Sequence, residues 1–244
     1  MNTLEQSSPN MIIAKVWRGD KSGNFQSFDV PIEENQTVLD IVTHIQQEID
    51  PTLTYRFSCR VGMCGSCAMM VNGVPRWTCR THINKVNNKG TIEIAPLRNL
   101  PVIKDLATDM SRFFEKWTEA NAYFTPTVEA DAPIAKIQPD KGPRLEANKA
   151  IECINCAVCY AACDVVSAND DYLGPAALNR AWTLHNDERD GATEKRLKAI
   201  SGNGGCHNCH SHQSCMTYCP NELNPTASIA GLKRAAMKQA IFGK

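Results

Sequence analysis

The sequence predicts an α+β chain in two domains, and three observations carry that prediction. The first hundred or so residues set short β-periodic stretches around one helical stripe, while the rest is written in helical periods broken by turns. Twelve cysteines fall into three tight groups, one in the first part and two in the second. At 244 residues and 43% hydrophobic, the chain is long enough for two domains with cores of their own. We place the domains at 1–105 and 106–244.

Taken in order, "MIIAKVWRG" and "FQSFDVPI" read as strands, and "TVLDIVTHIQQEI" carries Val38, Ile41, Val42, Ile45 and Ile49 as a helical stripe. "CAMMVNGVPRWTC" sets the turn pair Asn72-Gly73 between apolar arms, a hairpin signal, and "TIEIAPL" adds a further strand. In "PVIKDLATDMSRFFEKWTEA", Ile103, Leu106, Met110, Phe113 and Trp117 recur every three or four residues and predict a helix that begins the second domain. Phe113, Phe114 and Trp117 at this spacing read as core, with a partner surface as the alternative. "TPTVEADAPIAKIQPDKGPR" holds four of the thirteen prolines and little periodicity, so it reads as an ordered crossing segment or surface loop. Helical pieces follow in "AALNRAWTLHN", "TEKRLKAISG" and "PTASIAGLKRAAMKQAIF", the last with Pro225 placed to start it.

Twenty-six basic residues balance twenty-six acidic ones, so no net field points to nucleic acid, and no nucleic-acid partner is expected. No apolar run approaches the ~18–20 residues that span a bilayer, which leaves membrane contact to the surface or to another subunit. "MNTLEQSSPN" has neither the basic start nor the apolar core of an export signal. A reducing compartment is therefore expected, where clustered cysteines hold metal rather than form disulfides.

Cys59, Cys64, Cys67 and Cys79 are spaced C-x4-C-x2-C with a fourth cysteine further on, the plant-type [2Fe-2S] pattern. Gly62 and Gly65 let the backbone bend around such a cluster and aim N–H groups at sulfur. Structural zinc is the alternative, but it usually takes two short knuckles, whereas three of these ligands lie in one loop. "CINCAVCYAAC" is the bacterial C-x2-C-x2-C-x3-C run, whose fourth cysteine ligates the other cluster of a pair. Counting back from Cys219-Pro220 in the same frame gives C-x2-H-x2-C-x3-C-P, with His212 where a cysteine would stand. The frame assigns Cys153, Cys156, Cys159 and Cys219 to a [4Fe-4S] cluster. It leaves Cys163, Cys209 and Cys215, three thiolates, which suit [3Fe-4S]; His212 as the ligand of a fourth iron is the alternative. Cys206 is spare. His207 and His210 read as groups that donate to a cluster's surroundings or face solvent rather than as ligands.

On "YRFSCRVGMCGSCAMMVNG", "CINCAVCYAAC", "GPAALNRA" and "SCMTYCPNELNPTASI", in this order over nearly the whole chain, the sequence resembles the iron–sulfur subunits of succinate dehydrogenases and fumarate reductases. All eleven of the assigned cysteines have a counterpart in that family. The resemblance implies a β-grasp plant-type ferredoxin domain followed by a mostly α-helical two-cluster ferredoxin domain. It also implies a wire of [2Fe-2S], [4Fe-4S] and [3Fe-4S] between the FAD of a flavoprotein subunit and a quinone, menaquinone or ubiquinone, in a membrane anchor that can hold haem b. The expected location is the cytoplasmic face of a bacterial inner membrane. The pair Cys209-His210 matches a family pair near the quinone and a haem propionate, so that vicinity is carried onto His210.

One departure bears on the quinone. Ubiquinone-using members follow the last cysteine of the first run with proline and, shortly after, a tryptophan, whereas "CDVVSAND" offers Asp164 and no tryptophan. That adds weight to menaquinone or an unusual anchor. The chain has no G-x-G-x-x-G and no P-loop, as befits one that binds neither FAD nor nucleotide by itself. Succinate oxidation is the leading direction and quinol:fumarate reduction the alternative; a free ferredoxin-type carrier and a zinc-stabilised interaction protein are the readings from other classes. From Leu223 on, Lys233, Arg234, Lys238 and Lys244 stand without an acid, a surface for an anchor or anionic headgroups, or cations placed toward a helix C-terminus.

Overall fold

The computed structural model describes residues 10–243, so residues 1–9 of the stretch read for an export signal, and Lys244, lie outside the described residues. The chain divides into two compact units, the first running to Leu97 with Pro101–Thr108, the second comprising Arg98–Leu100 and the residues from Asp109 on.

In the first unit, β1 (Met11–Arg18) and β2 (Asn24–Pro31) pair antiparallel, and β1 buries Ile12, Ala14 and Val16 while Met11 and Ile13 face outward. That period of two is the pleat of a sheet with one covered face. The covering element is α1 (Val38–His44), continued by a π-turn over Ile45–Ile49. Its start is fixed by a capping box: the Asp40 N–H donates to Thr37 Oγ1 at 3.3 Å, and the Thr37 N–H donates to Asp40 Oδ2 at 2.9 Å. Val38, Ile41, Val42 and Ile45 then meet Ile12, Val16, Val30, Ile92 and Ile94 in one core. The hairpin of β3 (Ala68–Val71) and β4 (Val74–Trp77) turns on Asn72 and Gly73 at φ +50° and +75°, the left-handed pair of a tight hairpin turn. β5 (Thr91–Ala95) lies parallel to β1 and antiparallel to β3, which gives the sheet order β2-β1-β5-β3-β4.

The structure changes the helix expected from Ile103, and with it the boundary placed at 105/106, because Pro101–Thr108 belong to the first unit and Arg98–Leu100 to the second. Val102–Lys104 (β6) and Ala107–Thr108 (β7) form a small hairpin, and the helix α2 covers only Ser111–Glu119. Asp105 explains the difference. It sits at φ +52° between the two strands, and its buried carboxylate accepts the N–H groups of Gly19 (2.7 Å) and Thr54 (2.8 Å) and lies 3.5 Å from Arg18 Nε. Leu106, in the turn between the strands, joins the first unit's core, and Ile103 of β6 is exposed, so the apparent helical period runs across a strand, a turn and α2. Phe113 is buried edge-on against Tyr160 at 5.4 Å, whereas Phe114 is exposed, which splits the aromatic group between core and surface.

The second unit is helical: α2, α3 (Gly142–Ile151), α4 (Val158–Ala161), α5 (Asp164–Ala168), α6 (Gly174–His185), α7 (Thr193–Ile200), α8 (Ser214–Thr217) and α9 (Pro225–Phe242). Buried on nearly all sides, α6 is its centre. The buried Asn179 ties three helices together: its amide donates to the Ala150 carbonyl at 3.0 Å and its oxygen accepts from Ser228 at 2.9 Å. On α9, Gly231 lies under the Trp182 ring, where a Cβ would stand only 2.5 Å from it. The proline-bearing segment is held at its start, where Thr125 donates to Asp190 at 3.0 Å and Arg196, fully buried, pairs with Asp190 at 2.9 Å. Beyond, Ile134 is almost wholly exposed. Among the described residues no helix is long and apolar enough to cross a membrane.

Candidate metal centres

The first group of cysteines is assembled by a hairpin and a loop. Cys67 precedes β3 and Cys79 follows β4 in the turn Thr78–Arg80; Ala68 pairs with Trp77, and the Thr78 hydroxyl donates to the Cys67 carbonyl at 2.7 Å. The strand register therefore sets these two thiols side by side, both buried. The loop from Cys59 brings the other two. Met63 and Cys64 donate their N–H groups to Cys59 Sγ at 3.2 and 3.3 Å, and Cys59 donates to Cys64 Sγ at 3.5 Å. Gly62 has φ +78°, and a Cβ there would meet Arg80 at 3.0 Å and the Trp77 ring at 3.2 Å, so only glycine lets the loop lie this close.

Electrostatics separate the members of this group. N–H donors from Val61 and Met63 hold the Cys59 thiol down to about 6, while burial, then the hydrogen bond and charge of Cys67, push Cys79 up to about 12. Backbone donors aimed at sulfur stabilise a thiolate, and a buried thiol gives up its proton only to metal. Four converging cysteines with such donors fit the plant-type [2Fe-2S] donor set.

The second and third groups are built by one loop conformation used twice. Adding 56 to the positions of the first run carries Cys153 to Cys209, Cys156 to His212, Cys159 to Cys215 and Cys163 to Cys219. The backbone follows the same shift: Asn155 and Ser211 have φ +61° and +60°, Ala157 and Gln213 have φ +60° and +67°, and each loop then opens a four-residue helix, α4 or α8. His212 thus occupies the loop position that Cys156 holds in the first copy.

Cys219 is brought to the first run from the far end of the unit. Asn221 donates to the Glu152 carbonyl at 2.6 Å across 69 residues, which anchors the chain beyond Cys219 beside Cys153. Burial raises the Cys153 thiol, with the charge of Cys219 adding to it; burial raises Cys159 well above the ordinary value, with Cys153, Cys156, Cys215 and Cys219 as neighbouring charges. Arg180 works the other way on Cys153, toward the thiolate.

Cys163, Cys209 and Cys215 line a recess together with Tyr172, His210, His212 and Thr226. Burial raises Cys163 and Cys215, and each lies within reach of the charge of Cys209. Cys215 Sγ and Thr226 Oγ1 are 3.3 Å apart, Ser211 donates its N–H to Cys209 Sγ at 3.4 Å, and Tyr172 hydrogen-bonds Cys209 from a buried position that raises its phenol. Lys233 donates to the Cys209 carbonyl at 2.6 Å. Three thiols around a recess, with a histidine where the fourth would be, fit a [3Fe-4S] donor set.

His207, His210 and His212 are exposed, the last two with rings 6.1 Å apart. Cys206, spare in the frame, is fully buried next to Cys209. On α9, Arg234 and Lys238 are exposed beside exposed Met237, Ile241 and Phe242. Sequence reading missed Tyr172, Thr226 and Asn99. The Asn99 amide donates to the carbonyls of Tyr160 (2.9 Å) and Cys163 (3.1 Å) and so caps the turn between Cys159 and Cys163. None of the three lies in a metal motif; only the fold brings them to sulfur or to a ligand's backbone.

Comparison with known proteins finds two iron–sulfur domain models in the chain. Residues 12–115 match the model of the 2Fe-2S iron-sulfur cluster binding domain, and residues 152–224 match that of the 4Fe-4S dicluster domain. The chain is 33% identical to the fumarate reductase iron-sulfur subunit of Haemophilus influenzae over 86% of its own length and 85% of the relative's. It is 37% identical to the succinate dehydrogenase iron-sulfur subunit of Paracoccus denitrificans, covering 84% and 78%. A chain of the solved Mycobacterium smegmatis Sdh1 complex superposes with a TM-score of 0.84 at 26% identity, over 95% of this chain and 98% of that one.

Proposed function

The chain belongs to the iron–sulfur subunits of succinate dehydrogenase and fumarate reductase, and from that premise we propose that it carries electrons through three clusters between a flavoprotein's FAD and a membrane quinone. Cys59, Cys64, Cys67 and Cys79 hold [2Fe-2S]; Cys153, Cys156, Cys159 and Cys219 hold [4Fe-4S]; Cys163, Cys209 and Cys215 hold [3Fe-4S]. Clusters of unlike type and charge supply one-electron carriers of graded potential. The observation that carries the reading is the twice-used loop with His212 in the place of Cys156, which leaves the third set one thiolate short.

The residues supply surroundings rather than chemistry. N–H groups of Met63 and Cys64 neutralise charge on Cys59, and Lys233 sets an ammonium at the backbone of Cys209. No residue need act as acid, base or nucleophile, because substrate chemistry belongs to the flavoprotein partner. The other partner is a membrane anchor with the quinone, menaquinone being favoured by Asp164, and His210 stands toward that quinone and any haem b. The subunit is peripheral, on the cytoplasmic face of a bacterial inner membrane, in keeping with its lack of a spanning helix among the described residues.

Isolation of the native complex tests this. Flavoprotein and anchor should copurify with the chain, iron and acid-labile sulfide should be present without zinc, and an oxidised [3Fe-4S] EPR signal should appear. A chain that leaves the lysate alone with its iron would be a free carrier. Succinate oxidation is the direction proposed; a complex whose extracted quinone is menaquinone and which reduces fumarate faster than it oxidises succinate would favour the reverse.

A further inference from the structure

We propose that Cys206 and Cys209 form a redox dithiol that closes a disulfide when peroxide strips the third centre, keeping the ligand Cys209 recoverable. The inference rests on the reading of Cys209 as a ligand of that centre. The twice-used loop shows that Cys206 is an addition: position 206 less 56 is 150, and Ala150, buried, stands there in the first copy. Cys206 therefore has no part in the ligand frame.

Geometry gives it one beside the frame. Cys206–Asn208 is a single 3₁₀ turn closed by the Cys209 N–H on the Cys206 carbonyl at 3.2 Å. A turn closed in this way keeps the two Cα atoms within about 7 Å, and a disulfide bridges Cα separations up to roughly 6.8 Å. The two sulfurs are near enough for the charge of one to act on the other.

Their exposures differ in the useful sense. Cys209 is half-buried and lines the recess, so an oxidant reaches it first, while Cys206 is fully buried and shielded from direct attack. Lys233 bonds the Cys209 carbonyl, and burial, only partly offset by the Lys233 charge, pushes the Cys206 thiol up to about 11, so Cys206 stays protonated until the Cys209 sulfur is oxidised beside it. Once iron is lost, the Cys209 thiolate attacks peroxide; the O–O bond breaks and a sulfenic acid forms with release of hydroxide. Cys206 then attacks the Cys209 sulfur, the S–S bond forms, the S–O bond breaks and water leaves. In sum two thiols lose two electrons and two protons, and one peroxide becomes two waters. A dithiol reductant reverses the bridge, whereas a lone Cys209 would pass on to sulfinic and sulfonic acids.

The test uses the native complex, treated stepwise with hydrogen peroxide under anaerobic conditions and quenched with N-ethylmaleimide. Peptide masses are followed beside the [3Fe-4S] EPR signal. As the signal falls, Cys206 and Cys209 should escape alkylation together in a peptide that is two hydrogens lighter, and dithiothreitol with iron and sulfide should restore the signal. In Cys206→Ala the same loss should leave Cys209 as sulfinic or sulfonic acid, with the signal beyond restoration. Peptide mapping of the unaltered complex decides the matter even if that variant fails to assemble. Cys209 bridged to Cys163 or Cys215, or equal restoration in Cys206→Ala, would overturn the proposal. Absence of the [3Fe-4S] signal before any peroxide, or a fourth iron lost on Cys206→Ala, would overturn the assignment of the third centre and the dithiol with it.

Discussion

Cys59 and Cys79 are proposed to hold one cluster, yet the protein treats their thiols in opposite ways. Donation by Val61 and Met63 lowers Cys59 to about 6, and burial raises Cys79 to about 12. In protein freed of iron by chelation, Cys59 is thiolate at neutral pH, and its alkylation by iodoacetamide should fall off as pH drops through about 6. Cys79 should stay unreactive up to high pH; equal rates at pH 7 would contradict the donors assigned to Cys59. His212 is the second residue whose chemistry is set by its place. His212→Cys completes a C-x2-C-x2-C-x3-C-P run, so the third centre should gain an iron and lose its oxidised [3Fe-4S] signal. Its potential should shift, because cluster type is one of the factors that set an iron–sulfur potential. Iron counting on an assembled variant that still holds three irons there would show that the loop does not point position 212 into the recess.

Among the elements, α4 and α8 have only four residues each, too few to persist as isolated helices. They are fixed by what flanks them: left-handed Ala157 and Gln213 at their starts, Asn99 on the carbonyls after α4, and α6 and α9 packed around them. The proposed crossing of ligands rests on this arrangement, since the chain past α8 is bonded back to Glu152 by Asn221. Cys219→Ala should therefore damage the [4Fe-4S] centre while leaving more of the [3Fe-4S] signal. Loss confined to the [3Fe-4S] signal would mean that Cys219 serves the other centre. The same logic explains the misread stretch at Ile103: its apolar period is compatible with a helix, but Asp105 at positive φ, bonded to Gly19 and Thr54, turns it into a hairpin.

At the scale of the whole molecule the two units depend on metal to different degrees. The first has a continuous apolar core between sheet and helix that owes nothing to iron, whereas the second places its cysteines on short turns between α3 and α9. Ligands held apart in an unfolded chain make metal binding part of the folding free energy. Iron chelation from the intact chain should thus open residues 152–224 to protease first and leave the strands of residues 11–95 resistant. Limited proteolysis read by mass spectrometry checks this, and early cleavage inside β1 or β5 would contradict it.

Much of the fold and of the candidate site was legible in the sequence because cysteine motifs of this kind are local. C-x4-C-x2-C and C-x2-C-x2-C-x3-C set sulfurs along a few residues of loop, and a missing cysteine at 212 is visible by counting alone. Strands and the first helix were legible for the same reason, since their periods of 2 and 3.6 are read residue by residue. What only the tertiary structure decided are contacts between residues far apart in the chain. Tyr172 against Cys209, Thr226 against Cys215, Asn99 on Cys163 and the burial of Cys206 beside Lys233 all join residues that are brought together only by the packed chain. No spacing rule encodes them, because a hydrogen bond across tens of residues exists only once the intervening chain has packed, and many sequences can supply the same donor.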